Sequence, residues 1–447
     1  MTVARHKMGD YQPFVYRSAD LGTTWSRIDD GLPLGQFCRV IREDPNRQGL
    51  LYVGTELGIH ASFDDGASWQ SLQANLPVTP IYDFVVKDTD LVVATHGRSF
   101  WILDDLTPLH QLRDDVLAGG NHLMRPRDAV RTPPHITAEW GGTPGGKNYH
   151  VTSGQNATFY VEEHDTGHVT KRVIDAGEDL ERGVRITYFL DEAAVGDAVL
   201  TIRDADGNIV DTFPSTIPSE KKHRVGLYIT ATAGMNSFQW PMTYPFGVKM
   251  VDSEFHKRPG GPLAKPGAYT ATLTIGDWSM TQPFSLLKDP RITTSDADFA
   301  EQFDLLIRIR DELSAIVTGV NTIRSLQRQF ADWTARLADN DDATEVVAAI
   351  KGLSTKLREV EAELVQVEFT ADGDSLNYRE QLFEKLSGLP PVVASADTRP
   401  TTQSYAVFDK LAGQADEQLA TLAALVAGEL AELNEHVRQL GVPIISA

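Results

Sequence analysis

Ser18-Ala-Asp20-Leu-Gly22-Thr-Thr24-Trp25 returns as Ser62-Phe-Asp64-Asp-Gly66-Ala-Ser68-Trp69, so the pattern Ser-x-Asp-x-Gly-x-Ser/Thr-Trp recurs at a separation of 44 residues. Each part of it has a task in a hairpin turn. The Ser and Asp side chains are short enough to hydrogen-bond the turn's own backbone, the Gly takes the positive φ that a Cβ opposes, and the Trp covers a neighbouring strand. A turn built this way locks the register of the strands it joins. A weaker third copy appears when the stretch from Leu51 to Asp64 is laid without a gap over that from Leu91 to Asp104, matching Leu51, Val53, Thr55 and Asp64 to Leu91, Val93, Thr95 and Asp104. Its turn has lost the Gly and the Trp.

Read outward, each copy is a strand, a short turn, a second strand and the Asp-bearing turn, with innermost strands expected at residues 40–44 and 81–86. A period of 44 residues is about that of one propeller blade. The Asp-turn pattern resembles the BNR or Asp-box propellers. The flanking words Arg5-His-Lys-Met-Gly-Asp10-Tyr-Gln-Pro-Phe-Val-Tyr-Arg-Ser18 and Asp90-Leu-Val-Val-Ala-Thr-His-Gly-Arg-Ser-Phe-Trp-Ile-Leu-Asp-Asp105 resemble the closing blades of large bacterial sortilin-like, glycosyl-hydrolase-like propeller proteins. The resemblance implies that residues 1–125 form about two and a half blades, with Thr2-Val-Ala4 the stub of a strand, in the C-terminal part of a longer protein or a truncated reading frame. Open blade edges would call for the missing blades or a partner chain.

Past Pro126 the composition changes. Arg131-Thr-Pro-Pro134 and the Gly-rich 141–147 stretch read as a linker, followed by β segments without Asp turns. Hairpins around Asp206-Gly207 and Gly276-Asp277, with strands at 184–190 and 234–240, suggest an Ig-like β-sandwich over residues 126–290. After Asp289-Pro290 the apolar period lengthens to that of a helix. Stripes from Leu306 to Leu337, Val346 to Val367 and Tyr405 to Leu440, with a short helix near 377–386, predict a C-terminal antiparallel helical bundle over 291–447. The stripes read as core, not as a cofactor box.

Composition narrows the function classes. At 447 residues the chain is long enough for roughly three domains, and 41% hydrophobic with 23% charged residues is a globular balance. Against 62 Asp and Glu stand 41 Lys and Arg, a net −21 that repels phosphate backbones and speaks against nucleic acid as partner. From Asp296 onward 26 acidic residues face 13 basic ones, which places most of the excess on the helical surface. Cys38 is the one cysteine, so no intrachain disulfide forms. No stretch has the length of a membrane span, and no apolar run follows the basic N-terminal residues as in an export signal. Extracytoplasmic location, periplasmic or secreted, is implied by the resemblance alone.

The carboxylates of Asp20, Asp64 and Asp104 suit a glycosidase pair in type, but their turn position assigns them, with Ser18, Gly22, Trp25, Ser62, Gly66 and Trp69, to structure. His96 and Arg98 with Trp101 lie in the turn at the opposite end of the blade, where a cation beside an aromatic face suits a carboxylate or sugar; the competing reading is a blade-closing salt bridge. Gly141-Gly-Thr-Pro-Gly-Gly-Lys147-Asn148 nearly spells a phosphate loop, yet Asn148 stands where Ser or Thr would reach magnesium. His164 and His168, near His150 and Asp165, have ligand-like spacing without a helix to align them, and Asn156-Ala-Thr158 is a sequon by pattern only. No cofactor and no metal is expected. The reading is a non-catalytic recognition or scaffolding part that binds glycans or peptides. The alternatives are a glycoside hydrolase whose catalytic blades lie mostly upstream and a structural assembly subunit.

Overall fold

The computed structural model describes residues 1–113, 116, 118–132, 142–152, 155–174, 180–220, 226–371 and 373–439. Through them the chain is mainly β as far as Lys288 and helical from Asp296 onward. By compactness it divides into two units, each made of three stretches of the chain. One comprises Met1–Ala129, Trp140–Pro241 and Ala268–Ser285, the other Val130–Glu139, Met242–Gly267 and Leu286–Ala447.

The first unit begins with a short antiparallel pair, β1 (Tyr16–Arg17) and β2 (Ser26–Arg27), joined by the first Asp turn; Thr2 bridges Val15 beside it. A four-stranded meander follows, β3 (Cys38–Glu43), β4 (Leu51–Thr55), β5 (Ile59–Ser62) and β6 (Gln70–Ser71), hydrogen-bonded in that order. A three-stranded meander comes next, β7 (Ile81–Lys87), β8 (Asp90–Thr95) and β9 (Phe100–Leu103). Every residue of β4 and β5 is buried, the signature of strands covered on both faces. On one face Cys38, Leu51, Val53 and Trp69 pack with Val15, Leu32 and Ile28 of the first repeat. On the other, Val40, Tyr52, Ile59 and Ala61 pack with Ile81, Phe84, Leu91 and Val93. The sheets approach so closely at Gly54 that a Cβ there would stand 2.7 Å from Ile81 Cγ2 and 2.8 Å from Val40 Cγ1, so the position must be Gly.

Helix α1 (Thr107–Gln111) leaves the third repeat with Pro in its first turn. Its His110 is fastened at 2.9 Å to Asp44, whose buried carboxylate also accepts from Tyr52 Oη at 2.8 Å. The remaining strands form three sheets. The first is β10 (His122–Leu123), β15 (Val184–Leu190) and β18 (Gly234–Trp240), in that order. The second, ordered β11-β20-β19-β16-β17, takes β11 (Ala129–Arg131), β16 (Ala198–Arg203), β17 (Ile209–Pro214), β19 (Gly267–Ile275) and β20 (Trp278–Lys288). The third is the meander β12 (Lys147–Thr152), β13 (Gln155–Glu163) and β14 (Val169–Val173). Strand β16 alternates buried and half-buried residues along its length, as a sheet with one inner face requires. Trp240, fully buried, lies 5.6 Å from Tyr269 and 5.9 Å from Phe284 between ring centroids.

The helical unit consists of α2 (Asp296–Arg336), α3 (Thr344–Leu364), α4 (Leu382–Ser387), α5 (Leu389–Val393), α6 (Thr402–Ala427) and α7 (Glu429–Gln439). Ser295 caps α2 by accepting from Asp298 N at 3.2 Å, and Thr401 caps α6 by accepting from Ser404 N at 3.2 Å. The expected stripes supply the core, with Ile309, Ile316, Val320, Ile323, Leu357 and Leu364 all but inaccessible. Details differ from the sequence reading: the short helix expected near 377–386 is α4 and begins only at Leu382. Val367 lies past the end of α3 and is 51% exposed, because the chain turns extended at Val365. The third stripe is two helices, broken at Gly428, whose φ of −98° and ψ of −90° are not helical. Leu440, Pro133, Pro134 and Gly141 lie outside the described residues. No helix among the described residues is long and apolar enough to cross a membrane.

Candidate functional site: the two ends of the repeated sheets

At one end stand the Asp turns. Ser18 Oγ donates to Asp20 Oδ1 at 2.8 Å and accepts from Gly22 N at 2.7 Å, while Thr24 donates to Asp20 through N at 2.8 Å and Oγ1 at 2.6 Å. The second turn repeats this bond for bond. Ser62 Oγ donates to Asp64 Oδ1 at 2.7 Å and accepts from Gly66 N at 2.8 Å, and Ser68 donates to Asp64 through N at 2.8 Å and Oγ at 2.6 Å. Leu21 and Gly22 have φ of 58° and 91°, Asp65 and Gly66 of 60° and 90°. The hydrogen bonds from Thr24 and Ser18 hold the Asp20 carboxyl down to about 2. For Asp64, burial pushes upward but the bonds from Ser68 and Ser62 outweigh it, and its carboxyl also sits below the usual range. A carboxylate so committed to its own turn is a poor proton donor.

The third copy departs from the gap-free match. Gly54 pairs with Ile59 across the β4–β5 hairpin, whereas Ala94 pairs with Phe100 across β8–β9, so the later hairpin is one residue longer. Ser99, with φ of 65°, absorbs the extra residue. Everything after it shifts by one. Leu106 N bonds Thr89 O at 2.7 Å as Asp65 N bonds Gly49 O at 2.9 Å, so Asp105, not Asp104, stands where Asp64 does. Asp105 Oδ1 accepts from Thr107 Oγ1 at 2.5 Å and from Thr107 N at 3.2 Å. Asp104 follows β9, and its carboxyl is raised by burial and by the neighbouring charge of Asp90.

At the opposite end, where β4 turns into β5 and β8 into β9, the structure brings His96, Arg98 and Trp101 onto one hairpin. Thr95 Oγ1 accepts from Arg98 N at 3.1 Å and donates to Ser99 O at 2.6 Å, and Trp101 Nε1 donates to Arg98 O at 2.8 Å. The Arg98 backbone is thus held, while its side chain is exposed and has no ion-pair partner among the described residues. Trp101 is partly drawn into the core. Around His96 the structure gathers aromatic and basic residues that sequence reasoning missed: Tyr82, Arg39, Phe37 and His6. His96 stacks on Tyr82 at 4.7 Å and 22°, Tyr82 receives the Arg39 guanidinium at 4.2 Å, Arg39 also lies over Phe37 at 5.0 Å, and His6 stacks on Phe37 at 4.3 Å. Glu56, on the β4–β5 turn, neutralises Arg39 at 2.6 Å. Rings alternate with a cation across successive repeats, and Tyr82 remains 48% exposed. The one sequence-level signal was the placement of aromatic and basic residues just before or after the turns.

Other candidates resolve into structure. Asn148 braces its own loop, accepting from Thr143 N at 2.8 Å and donating to Gly146 O at 3.0 Å. His164 and His168 face each other across a turn, His164 N donating to His168 O at 2.9 Å, and burial lowers the His168 imidazole. In the helical unit Ser253 Oγ lies 2.6 Å from His256 Nδ1, whose Nε2 is 3.0 Å from Glu384 Oε1. That carboxylate already accepts from Gln381 N and Gln366 N, so the trio fastens the segment around 253–256 to α4. Among the described residues no group of three or more His, Cys, Asp or Glu is arranged to hold a metal ion. Burial pushes the Cys38 thiol up to about 12, out of reach of nucleophilic chemistry.

Comparison with known proteins adds no identity. No family model matches the chain, and no curated protein matches it. A solved structure named pT26-6p aligns over 56% of this chain and 46% of its own length at 13% identity and a TM-score of 0.12, a likeness too slight to carry any argument.

Proposed function

We propose that the chain is the recognition or scaffolding part of a sortilin-like Asp-box propeller protein, acting outside the cytoplasm on glycan or peptide ligands. In this reading the meanders β3–β6 and β7–β9 are propeller blades, the β1–β2 pair is the rest of a third, the sheets between 122 and 288 include an Ig-like sandwich, and 291–447 is an antiparallel bundle. The observation that carries the function is the asymmetry of the two ends. The Asp turns spend their carboxylates internally, whereas the hairpin end presents an exposed Arg98, without an ion-pair partner among the described residues, two positions along the chain from the His96 that stacks on Tyr82. A guanidinium offers a bidentate fork to a carboxylate, and the exposed His96 ring offers a flat face to a sugar ring or an aromatic side chain.

Glycan and peptide arrays probed with the full chain test this. Binding without release of reducing sugar is the expected result, and Arg98→Ala should weaken it by about 1 to 3 kcal/mol with the melting temperature unchanged. Turnover of a glycan would make the chain a hydrolase. An Arg98→Ala protein that loses its fold while the folded fraction binds normally would return the residue to a structural role.

A further inference from the structure

Along the seam between α2 and α6 the charges meet in pairs of opposite sign, except at one place. Glu301 is held by Arg399 at 2.7 Å, and Arg308 pairs with Asp409 at 3.1 Å while its guanidinium lies 4.5 Å from the Phe408 ring centroid. Asp311 is held by its neighbour Arg310 at 2.7 Å. Glu312 and Asp416 follow, two carboxylates that no cation reaches among the described residues. Glu312 Oε1 is wholly buried and accepts no hydrogen bond. A buried acceptor without a donor costs stability, and burial together with the charge of Asp416 raises the Glu312 carboxyl. Both residues line an open groove of about 540 Å³, within the size range of small-molecule sites. Its apolar part is Phe408 and Ala412, both buried. Gly413 keeps the groove open. It lies exposed in the body of α6, where a Cβ would meet nothing within 4 Å, so no close contact accounts for a residue that a helix interior disfavours.

We propose that this groove binds a primary aliphatic ammonium, as carried by a free diamine or a lysine side chain, with its nitrogen between Glu312 and Asp416 and its methylene stem along Ala412 and Phe408. An ammonium brings three N–H donors and a positive charge. The donors supply what Glu312 Oε1 lacks, and the charge supplies what the like-charged pair lacks. A metal ion suits the place less, since among the described residues no group of three or more His, Cys, Asp or Glu is arranged to hold one. Every residue of the groove belongs to the helical unit, and the proposal does not draw on the ligand site at Arg98.

Titration calorimetry of the full chain with the diamine cadaverine, and separately with N-acetyl-lysine methylamide, tests this beside thermal melts. At least one amine should bind and raise the melting temperature, and Glu312→Gln should weaken it by about tenfold or more. Tetramethylammonium, which has no N–H, should not compete. Gly413→Leu fills the groove, leaves every charge in place and exchanges glycine for a better helix former, so it should abolish binding while the melting temperature of the unliganded chain holds or rises. Binding of cadaverine alone would make a free amine the ligand, and binding of the lysine derivative alone would make it a lysine side chain; either supports the site. No binding of either amine overturns the proposal. So does binding that survives Gly413→Leu, the result expected of diffuse attraction to an acidic surface, and so does calcium binding where neither amine binds. Arg98→Ala should bind amine like the wild type, so failure of the proposed recognition site leaves this result standing.

Discussion

The turns at Ser18–Trp25 and Ser62–Trp69 share the four Ser and Asp side-chain bonds and nearly identical backbone angles, yet one indole turns back on its own Gly22 O at 3.0 Å and is 47% exposed, while the other reaches Ile28 O and is 7% exposed. Conformation here is local, because short polar side chains satisfy the turn from within. Energetic weight is not local. It depends on whether a preceding sheet offers Ile28, with its carbonyl for the indole and its side chain against the glycine. Eight residues can therefore specify a shape without specifying how much that shape contributes to stability.

The largest expected separation between the two turns comes from the tryptophans. Trp69→Ala empties a packed site and orphans Ile28 O, and should cost about 3 to 5 kcal/mol in denaturant unfolding, while Trp25→Ala should cost well under about 1 kcal/mol. Equal losses would break the comparison. The glycines sharpen it. Both have φ near 90°, so Val at either position is strained, but only at Gly66 would the new side chain also strike Ile28. Gly66→Val should lose about 3 kcal/mol or more and Gly22→Val about 1 to 2, read as midpoint shifts on one scale.

Acid titration probes the part the turns have in common. The Asp20 and Asp64 carboxyls lie below their ordinary values in the folded chain. Their contribution is complete above the unfolded carboxylate value of about 4 and is lost as pH falls through their lowered folded-state values, about 2 for Asp20. Asp20→Asn and Asp64→Asn should flatten the acid limb of the stability curve, and an unchanged limb would show that the turn bonds do not favour the ionised form. Asp104 has the opposite sign. Its carboxyl is raised, so its ionisation opposes folding at neutral pH, and Asp104→Asn should leave the melting temperature equal or slightly higher at pH 7. Asp105→Ala should lower it through the loss of the Thr107 bonds.

Much of this was legible in the sequence, for identifiable reasons. The Ser-x-Asp-x-Gly-x-Ser/Thr-Trp turns could be read because their code is local, and the helical stripes because burial on one face imposes a period on residues such as Ile309, Ile316 and Ile323. The third turn was misplaced by one residue because a gap-free match aligns side-chain types, while strand pairing counts ladder positions. Gly428 looked like one more residue of a long stripe, since a break in a helix leaves its apolar neighbours in almost the same pattern. Of the His6–Phe37–Arg39–Tyr82–His96 stack the sequence reading reached His96 alone. Its members come from separate repeats and meet only once the sheets are laid against each other.

The longer β8–β9 hairpin has a practical consequence. Its additional residue is accommodated at Ser99 while the Val92–Ile102 and Leu91–Leu103 pairs persist beneath it, so the tip tolerates a change of length that the Asp-turn end, pinned by four side-chain bonds, would not. For protein engineering, the Thr95–Ser99 tip is the place to graft a foreign loop, with the ladder below as its rigid mount.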